Sequence, residues 1–199
     1  MHIIGLTGGI ACGKSNISEE LRQLGAVIID GDVLSRELTA PGGRALSSLR
    51  KAFGNGIFCP DGTLDRRTLG SIVFADANQR ALLDGIMQPL LREMILEGIE
   101  RARAGGAMAC VLDMPLLYEK ELDGLCDVVW CAYIPREMQL QRLMARDGFT
   151  REEAESRLAS QLPADEKAAM ADVVIDTSGP IQYTKAMIPE LYAHEIGKG

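Results

Sequence analysis

Five short apolar runs recur along the chain, and stretches with helical periodicity separate most of them. Runs of this length and composition are typical of strands buried within a sheet. After the first run, Ile17, Leu21 and Leu24 lie at i, i+4 and i+7 and so share one face of a helix. Strands that alternate with helices predict an α/β fold, in which helices cover both faces of a five-stranded parallel sheet. The predicted strands are Ile3–Leu6, Ala26–Ile29, Met108–Leu112, Val128–Ala132 and Val173–Ile175.

Two longer helical stretches interrupt this alternation. The first, at about residues 33–105, is divided by turn signals such as Pro41-Gly42-Gly43 and is too long for a simple crossover. We therefore expect a helical insertion on the substrate side. The second, at about residues 136–171, contains two helices joined at Gly148, with arginines near the joint. It favours a helical lid over phosphates, with a charged surface hairpin as the alternative. Both stretches are expected to belong to one domain spanning residues 1–199.

The most informative motif follows the first predicted strand. The segment Gly8-Gly9-Ile10-Ala11-Cys12-Gly13-Lys14-Ser15 fits the phosphate-binding pattern G-x-x-x-x-G-K-[ST] at every defined position. Its glycines allow a tight turn close to phosphate oxygens, and the following helix begins with partial positive charge. Lys14 can reach the β- and γ-phosphates of a nucleoside triphosphate, and the Ser15 hydroxyl can bind Mg²⁺. The residues expected to bind the nucleotide are Gly8, Ala11, Cys12, Gly13, Lys14, Ser15 and Asn16.

The composition of the chain limits the class of protein, the partners and the cellular location that are compatible with this site. The chain has 199 residues, 47% of them apolar, so it can bury a sizeable core. Its net charge of −7 argues against a nucleic-acid partner, whose binding surface is usually basic. Five cysteines without a C-x-x-C motif and only two histidines favour neither a disulfide framework nor a zinc site. We find neither a signal peptide nor a run of about 18 apolar residues, and we expect a cytoplasmic protein.

Carboxylates follow two of the predicted strands. Asp30-Gly31-Asp32 ends the second strand and Asp113 follows the third. Ligands in open α/β sheets bind beyond the carboxyl ends of the strands, so these side chains are placed for chemistry. We expect Asp32 to act on an acceptor and Asp113 to hold Mg²⁺, directly or through water. The structural alternatives are helix capping by Asp30, solvation of Asp32 and turn capping by Asp113.

Three classes of function use a phosphate-binding loop of this kind: a small-molecule kinase, a GTPase switch and a regulatory nucleotide-binding module. The switch would carry an Asn-Lys-x-Asp signature, and the chain has no Asn-Lys dipeptide. A regulatory module that only binds a nucleotide would not account for the two carboxylates of Asp30-Gly31-Asp32 at the end of a strand. We favour the kinase, in which Asp32 accepts the proton of the acceptor hydroxyl. Lys14, Mg²⁺ and the lid arginines Arg142 and Arg146 would then stabilise the charge on the transferring phosphoryl group.

Seven segments carry a family resemblance that runs from Ile4 to about Gly179. The strand end with Asp-x-Asp and the Pro-Leu-Leu-x-Glu segment are far more specific than the phosphate-binding loop alone. On these residues the chain resembles the dephospho-CoA kinase family. The segments are Gly5–Ile10 leading into Gly13–Ser15, Val27–Asp32, Pro41-Gly42, Asp61–Arg66, Pro115–Glu119, Arg142–Asp147 and Ala171–Asp176.

The resemblance implies the phosphorylation of the ribose 3′-hydroxyl of dephospho-CoA by ATP with Mg²⁺, the last step of coenzyme A synthesis. It implies a three-layer P-loop NTPase fold, similar to the nucleotide monophosphate kinases, with a helical substrate-side insertion and a helical lid. Asp32 matches the family's proposed base, and Arg142 and Arg146 match its lid arginines. Arg66 and Glu119 fall within matching segments, and we expect both to bind the acceptor substrate.

Three positions depart from the family's pattern. Asn16 stands where Thr often follows the serine, but its backbone N–H can still bind the nucleotide. Gly31 replaces a common Ala. Gln88 stands before Pro89, where His is frequent. Glutamine keeps the hydrogen bonding of histidine but loses its titrating group, which argues against a catalytic role for position 88.

Overall fold

Five parallel strands form one sheet in the computed structural model, which describes residues 1–197. The strand order is β2-β3-β1-β4-β5, and every neighbouring pair runs parallel. Each predicted strand is confirmed to within two residues at either end. Residues 198–199 of the predicted domain lie outside the described residues. The strands are β1 (His2–Gly8), β2 (Val27–Asp30), β3 (Ala109–Asp113), β4 (Val128–Tyr133) and β5 (Val173–Asp176).

Helices connect most of the strands, as the alternation of patterns predicts. Between β3 and β4 the only helical segment in the described chain is a 3₁₀ turn, Asp123–Leu125, and a second such turn lies at Asn55–Ile57. Among the described residues, no helix combines the length and apolar character that a membrane crossing needs. The helices are α1 (Lys14–Gln23), α2 (Gly31–Leu38), α3 (Leu46–Phe53), α4 (Arg66–Ala75), α5 (Ala77–Ala104), α6 (Arg136–Asp147), α7 (Arg151–Leu158), α8 (Ala164–Met170) and α9 (Ile181–Ile196).

The chain divides into two units, each with its own apolar core. The first comprises Met1–Asp30 and Ile99–Gly199 and contains the whole sheet. In it, Ile17 and Leu21 of α1 pack with Ile188 of α9 and with the sheet, and all three are fully buried. Strands β3 and β4 are buried almost throughout, whereas β5 at the edge alternates with exposed residues. Continuous burial is the expected state of central parallel strands, which are covered on both faces.

The second unit, Gly31–Gly98, is helical. Its core consists of buried residues from α2 to α4 and the intervening loops, together with partly buried residues of α5. Asp65 begins α4 as its N-cap, because its carboxylate accepts hydrogen bonds from the backbone N–H groups of Arg67 and Thr68, each at 3.0 Å. The fully or largely buried members of this core are Leu38, Ala45, Leu49, Ile57 and Leu69.

The register of the sheet gathers the strand ends of the first unit at one edge. Asp113 at the end of β3 pairs with Leu6 of β1 and with Asp30 at the end of β2. Gly8 at the end of β1 pairs with Ala132 of β4. The loop after β1 and the carboxylates that end β2 and β3 therefore share the carboxyl edge, where sheets of this kind bind ligands.

Candidate active site

The loop between β1 and α1 forms the centre of the candidate site. Gly8 has a φ of 155°, and a Cβ there would lie 2.6 Å from the carbonyl oxygen of Ala132. Gly13 has a φ of 74° and immediately precedes α1. Ala11 adopts a φ of 63°, a left-handed conformation that residues other than glycine rarely adopt. The glycines thus occupy positions that a side chain would strain, and the strain held at Ala11 is typical of ligand-binding loops.

Backbone N–H groups of this loop fall into two groups. Those of Cys12 and Asn16 donate within the loop, to the carbonyl oxygens of Gly9 at 3.2 Å and Gly13 at 3.1 Å. Those of Ala11 and Gly13 donate to no protein acceptor in the described part of the chain. Donors without a protein acceptor beside a helix N-terminus are what an anion-binding loop offers to phosphate oxygens.

Lys14, the first residue of α1, forms an ion pair across the carboxyl edge of the sheet. Its Nζ contacts Oδ1 of Asp113, whose side chain is only 6% exposed. Ser15 is exposed in the same first turn of α1. The structure therefore pairs the lysine of the loop with the carboxylate that ends β3, although the two come from separate parts of the chain.

Glu119 binds a lysine that the sequence patterns did not single out. Lys167 of α8 is fully buried, and its Nζ lies 2.8 Å from Oε1 of Glu119 and donates to the carbonyl oxygen of Pro115 at 2.6 Å. The backbone N–H of Leu162 donates to the same carboxylate oxygen at 2.9 Å. The other oxygen, Oε2, is buried without a hydrogen-bond partner among the described residues. This network fixes the segment after Asp113 to the start of α8.

We predict that Lys167→Met destabilises the protein by about 3 kcal/mol, because removing one partner of a buried ion pair leaves the other charge uncompensated. Denaturant unfolding monitored by circular dichroism measures the change. The double variant Lys167→Met with Glu119→Gln removes both charges and should recover part of the loss. A single variant as stable as the unmodified protein, or a double variant less stable than the single, would contradict this account.

The two predicted lid arginines have different partners. Arg142 of α6 donates from Nη2 to the carbonyl oxygen of Thr177 at 2.8 Å, in the loop after β5. Arg146, one turn later, pairs through both Nε and Nη2 with the neighbouring Asp147, and this contact raises the pKa of Arg146. Their spacing along one helix is as predicted, but the structure does not bring the two guanidinium groups to a common partner.

Helices α6 and α7 pack on the phosphate-binding loop. A small apolar cluster buries Leu140, Leu143 and Ala154, and Ile10 and Ala11 of the loop are partly buried against it. The helix α7 begins with a capping box, in which Thr150 and Glu153 each accept a hydrogen bond from the other's backbone N–H. Because α6 and α7 contact Ile10 and Ala11, a movement of these two helices would also move the phosphate-binding loop.

Asp32 and Arg66 belong to the second unit. Asp32 lies in the first turn of α2, where a carboxylate is stabilised by the helix dipole, and it is exposed. Arg66 donates from Nη2 to the hydroxyl of Thr39 and to the carbonyl oxygen of Arg36, at the other end of α2. At 1.5 Å per residue, these two partners of Arg66 lie roughly 6–10 Å from Asp32 along the helix direction. Asp32 and Arg66, the two residues expected to bind the substrate that accepts the phosphoryl group, are thus both associated with α2.

Two buried polar residues beside the loop were not predicted. Gln139 of α6 is 3% exposed and donates from Nε2 to the carbonyl oxygen of Ile10 at 3.0 Å. Thr177 is 6% exposed, and its hydroxyl donates to the carbonyl oxygen of Cys12 at 2.6 Å. Gln139 also contacts the sulfur of Cys12 at 3.1 Å, and burial raises the pKa of that thiol. Spacing alone could not reveal these contacts, because their partners lie more than 120 residues away.

A cavity of about 330 Å³ adjoins the loop on the side of α6, α7 and α8. Gly9 and Ile10 form one wall, and most of the remaining wall is apolar. Its volume is at the lower end of the range usual for small-molecule sites. Its other lining residues are Arg136, Gln139, Leu158, Ala159, Gln161, Leu162, Pro163, Ala164 and Asp165.

The donors for a metal ion are sparse but of the right type. No group of three or more acidic, histidine or cysteine side chains that could hold a metal occurs among residues 1–197. Mg²⁺ bound to a nucleotide takes most of its ligands from phosphates and water, with one or two from the protein. The Asp113 carboxylate and the Ser15 hydroxyl are hard oxygen ligands next to Lys14, so the residues fit such an ion.

The family model for dephospho-CoA kinase matches residues 2–182. The chain belongs to the dephospho-CoA kinase family. The dephospho-CoA kinase of Geobacter sulfurreducens is 47% identical over 193 residues, which cover 97% of this chain and 98% of that protein. That of Enterococcus faecalis is 40% identical over 196 residues, with 98% of each chain covered. The solved dephospho-CoA kinase from Campylobacter jejuni aligns with a TM-score of 0.75 and 26% identity, covering 99% of this chain and 98% of its own.

Family membership confirms the predicted fold and the predicted activity. The chain has the α/β architecture of the P-loop kinases. It is an enzyme, a kinase that uses ATP to phosphorylate a small molecule, dephospho-CoA, in the final step of coenzyme A synthesis. The roles of individual residues, by contrast, stay predictions.

Proposed function

We propose that the protein holds ATP on the loop Gly8–Ser15 and passes its γ-phosphoryl group to the ribose 3′-hydroxyl of dephospho-CoA. The ion pair between Lys14 and Asp113 at the carboxyl edge of the sheet is the observation that carries this assignment. The ion pair holds the ammonium group of Lys14 beside the N-terminus of α1, where backbone N–H groups can bind an anion. The triphosphate would meet the N–H groups of Ala11, Gly13, Lys14 and Ser15 directly, while Cys12 and Asn16 contribute through the shape of the loop.

Asp32 is the proposed base of the transfer. Its carboxylate takes the proton of the 3′-hydroxyl as that oxygen forms its bond to the γ-phosphorus. The bond from the γ-phosphorus to the bridging oxygen breaks, and ADP leaves with the electron pair. The exposure of Asp32 in the first turn of α2 supports this role, because a base must be open to its substrate.

Mg²⁺ is proposed as the metal cofactor, held by Ser15 and by Asp113 directly or through water. When bound, it neutralises charge on the β- and γ-phosphates. In the structure Asp113 engages Lys14, so the carboxylate would serve two cations at once.

Arg142 and Arg146 are proposed to stabilise the transferring phosphoryl group from the lid, residues 136–171. Their present partners are the carbonyl oxygen of Thr177 and the carboxylate of Asp147. A guanidinium group forms stronger, bidentate bonds with phosphate than with a neutral carbonyl, so a bound triphosphate can draw Arg142 away from Thr177. Arg146 is 61% exposed and its ion pair is therefore weak, which leaves it able to exchange partners.

Asp32, immediately before the substrate-side region, and Arg66, within that region of residues 33–105, are proposed to bind dephospho-CoA. The support for Arg66 is its anchoring to the end of α2, which fixes a positive charge on the helix that carries Asp32. Glu119 is proposed as a further substrate residue, supported only by its Oε2, which has no hydrogen-bond partner among the described residues. The acidic net charge supports the proposal that the protein has no nucleic-acid partner. The free thiols support the proposal of a cytoplasmic location.

The test measures ADP release and coenzyme A formation from ATP, Mg²⁺ and dephospho-CoA, with adenosine, AMP and water as alternative acceptors. We expect ADP release only with dephospho-CoA, in equal amount to the coenzyme A formed. The 3′ position of the new phosphate is read by ³¹P and ¹H NMR of the product. Release with water alone would instead indicate a nucleoside triphosphatase, and phosphate on another hydroxyl would overturn the proposed acceptor atom.

A further inference from the structure

Two buried side chains hold carbonyl oxygens of the phosphate-binding loop from outside. We propose that Gln139 and Thr177 are positioning residues of the nucleotide site, which aim backbone N–H groups of the loop at the phosphates of ATP. Gln139 donates to the carbonyl oxygen of Ile10 at 3.0 Å, and Thr177 donates to that of Cys12 at 2.6 Å. This inference rests on the proposed role of the loop in binding ATP.

The planar peptide bond explains how a side chain outside the loop can control its interior. In a trans peptide the C=O and the following N–H point in opposite directions. Fixing the carbonyl oxygen of Ile10 on the side of α6 therefore turns the N–H of Ala11 to the opposite side. Fixing the carbonyl oxygen of Cys12 turns the N–H of Gly13 in the same way. Neither of these two N–H groups donates to a protein acceptor in the described chain.

Burial makes these contacts specific. Gln139 is 3% exposed and Thr177 is 6% exposed, so water cannot readily replace either partner, and a buried polar group without one is unfavourable. The loop also provides space for the amide, because a Cβ at Gly9 would lie 2.2 Å from Nε2 of Gln139. Hydrogen bonding to a peptide oxygen further polarises the N–H on the same peptide, which strengthens its bond to an anion.

The same residues connect the loop to the lid. Gln139 and Arg142 lie one turn apart on α6, and Arg142 donates to the carbonyl oxygen of Thr177 at 2.8 Å. Thr177 therefore accepts from α6 through its carbonyl and donates to the loop through its hydroxyl. The backbone N–H of Thr177 is held by Tyr133 at the end of β4, so the residue has little freedom to adjust.

The test compares ligand affinities of four variants by calorimetry, with a non-hydrolysable ATP analogue and with dephospho-CoA. Thr177→Val keeps the shape of the side chain and removes its hydroxyl; Gln139→Met does the same for the amide. Each should weaken binding of the ATP analogue about 3- to 10-fold, the usual effect of one lost hydrogen bond, and leave dephospho-CoA affinity within about twofold. Thr177→Ser keeps the hydroxyl and should restore binding of the analogue. Thr184→Val removes a buried hydroxyl on α9 and should alter stability alone.

Thermal unfolding of every variant separates a positioning role from a purely structural one. An equal loss of affinity for both ligands, or a loss that follows the melting temperature across all four variants, would overturn the proposal. So would full affinity for the ATP analogue in folded Thr177→Val and Gln139→Met. Failure of the proposed function is a different result, because the unmodified protein would then not bind the ATP analogue at all.

Discussion

Replacing Asp32 with asparagine is expected to lower kcat by about 10²- to 10⁴-fold while ATP affinity stays nearly unchanged. That range is the usual contribution of a general base to proton transfer. Asparagine keeps the size and hydrogen-bonding reach of aspartate but cannot take the proton of the ribose hydroxyl. Asp32 is exposed in the first turn of α2 and is not one of the residues of the loop Gly8–Ser15. Steady-state kinetics and calorimetry with a non-hydrolysable ATP analogue measure the two effects.

A carboxylate elsewhere on α2 provides the control for this variant. Glu37→Gln removes one exposed negative charge from the same helix, and we expect kcat within about twofold of the unmodified enzyme. A small loss of stability in Asp32→Asn is also expected, of about 0.3–1 kcal/mol, because a first-turn carboxylate interacts favourably with the helix dipole. Equal losses of kcat and ATP affinity in Asp32→Asn would contradict the assignment of Asp32 as the base.

The features predictable from sequence are those that local pattern determines. Apolar runs located all five strands to within two residues at either end. The motif from Gly8 to Ser15 carries its own context, since a strand must precede it and a helix must follow it. The rule that ligands bind at the carboxyl ends of parallel strands predicts that Asp113 lies at the ligand-binding edge of the sheet. The structure pairs Asp113 with Lys14 there, although 99 residues separate them.

The supports of the site could not be predicted because they depend on tertiary contacts between distant segments. Gln139 is one polar residue in an amphipathic helix, and nothing in its neighbours distinguishes it from an exposed glutamine. Lys167 lies in a short helix rich in charge, where a lysine is normally solvated. Each becomes recognisable only when the fold buries it against a carbonyl oxygen or a carboxylate.

Arg142 and Arg146 show the limit of periodicity more clearly. Spacing by four residues predicts a shared helix face, and both residues do lie on α6. The spacing of Arg142 and Arg146 does not reveal which residues this face of α6 contacts. Arg142 reaches the backbone after β5, and Arg146 folds back on its own neighbour Asp147. The partner of a long, flexible side chain depends on which acceptors the fold brings near it, and the spacing of residues along one helix carries no information about those acceptors.

Replacing Lys14 with alanine is expected to weaken ATP binding by about 10- to 100-fold, because a charge-assisted hydrogen bond to phosphate is lost. kcat should fall as well, since the ammonium group stabilises charge that grows on the phosphoryl group in the transition state. The variant also leaves the largely buried Asp113 carboxylate without its cation, which costs stability. Affinity is therefore measured by calorimetry well below the melting temperature of the variant, and dephospho-CoA affinity is measured in parallel.

Two further variants separate the loss of the phosphate contact from the loss of the ion pair. Lys14→Ala combined with Asp113→Asn removes the unpaired charge, and should regain stability without regaining ATP affinity. Lys185→Ala removes a lysine from an ion pair with Glu20 that lies between α9 and α1, and should leave ATP affinity unchanged. If Lys14→Ala bound ATP as tightly as the unmodified protein, the loop would not be the triphosphate site. If the double variant regained ATP affinity, Lys14 would act on the nucleotide only by neutralising Asp113.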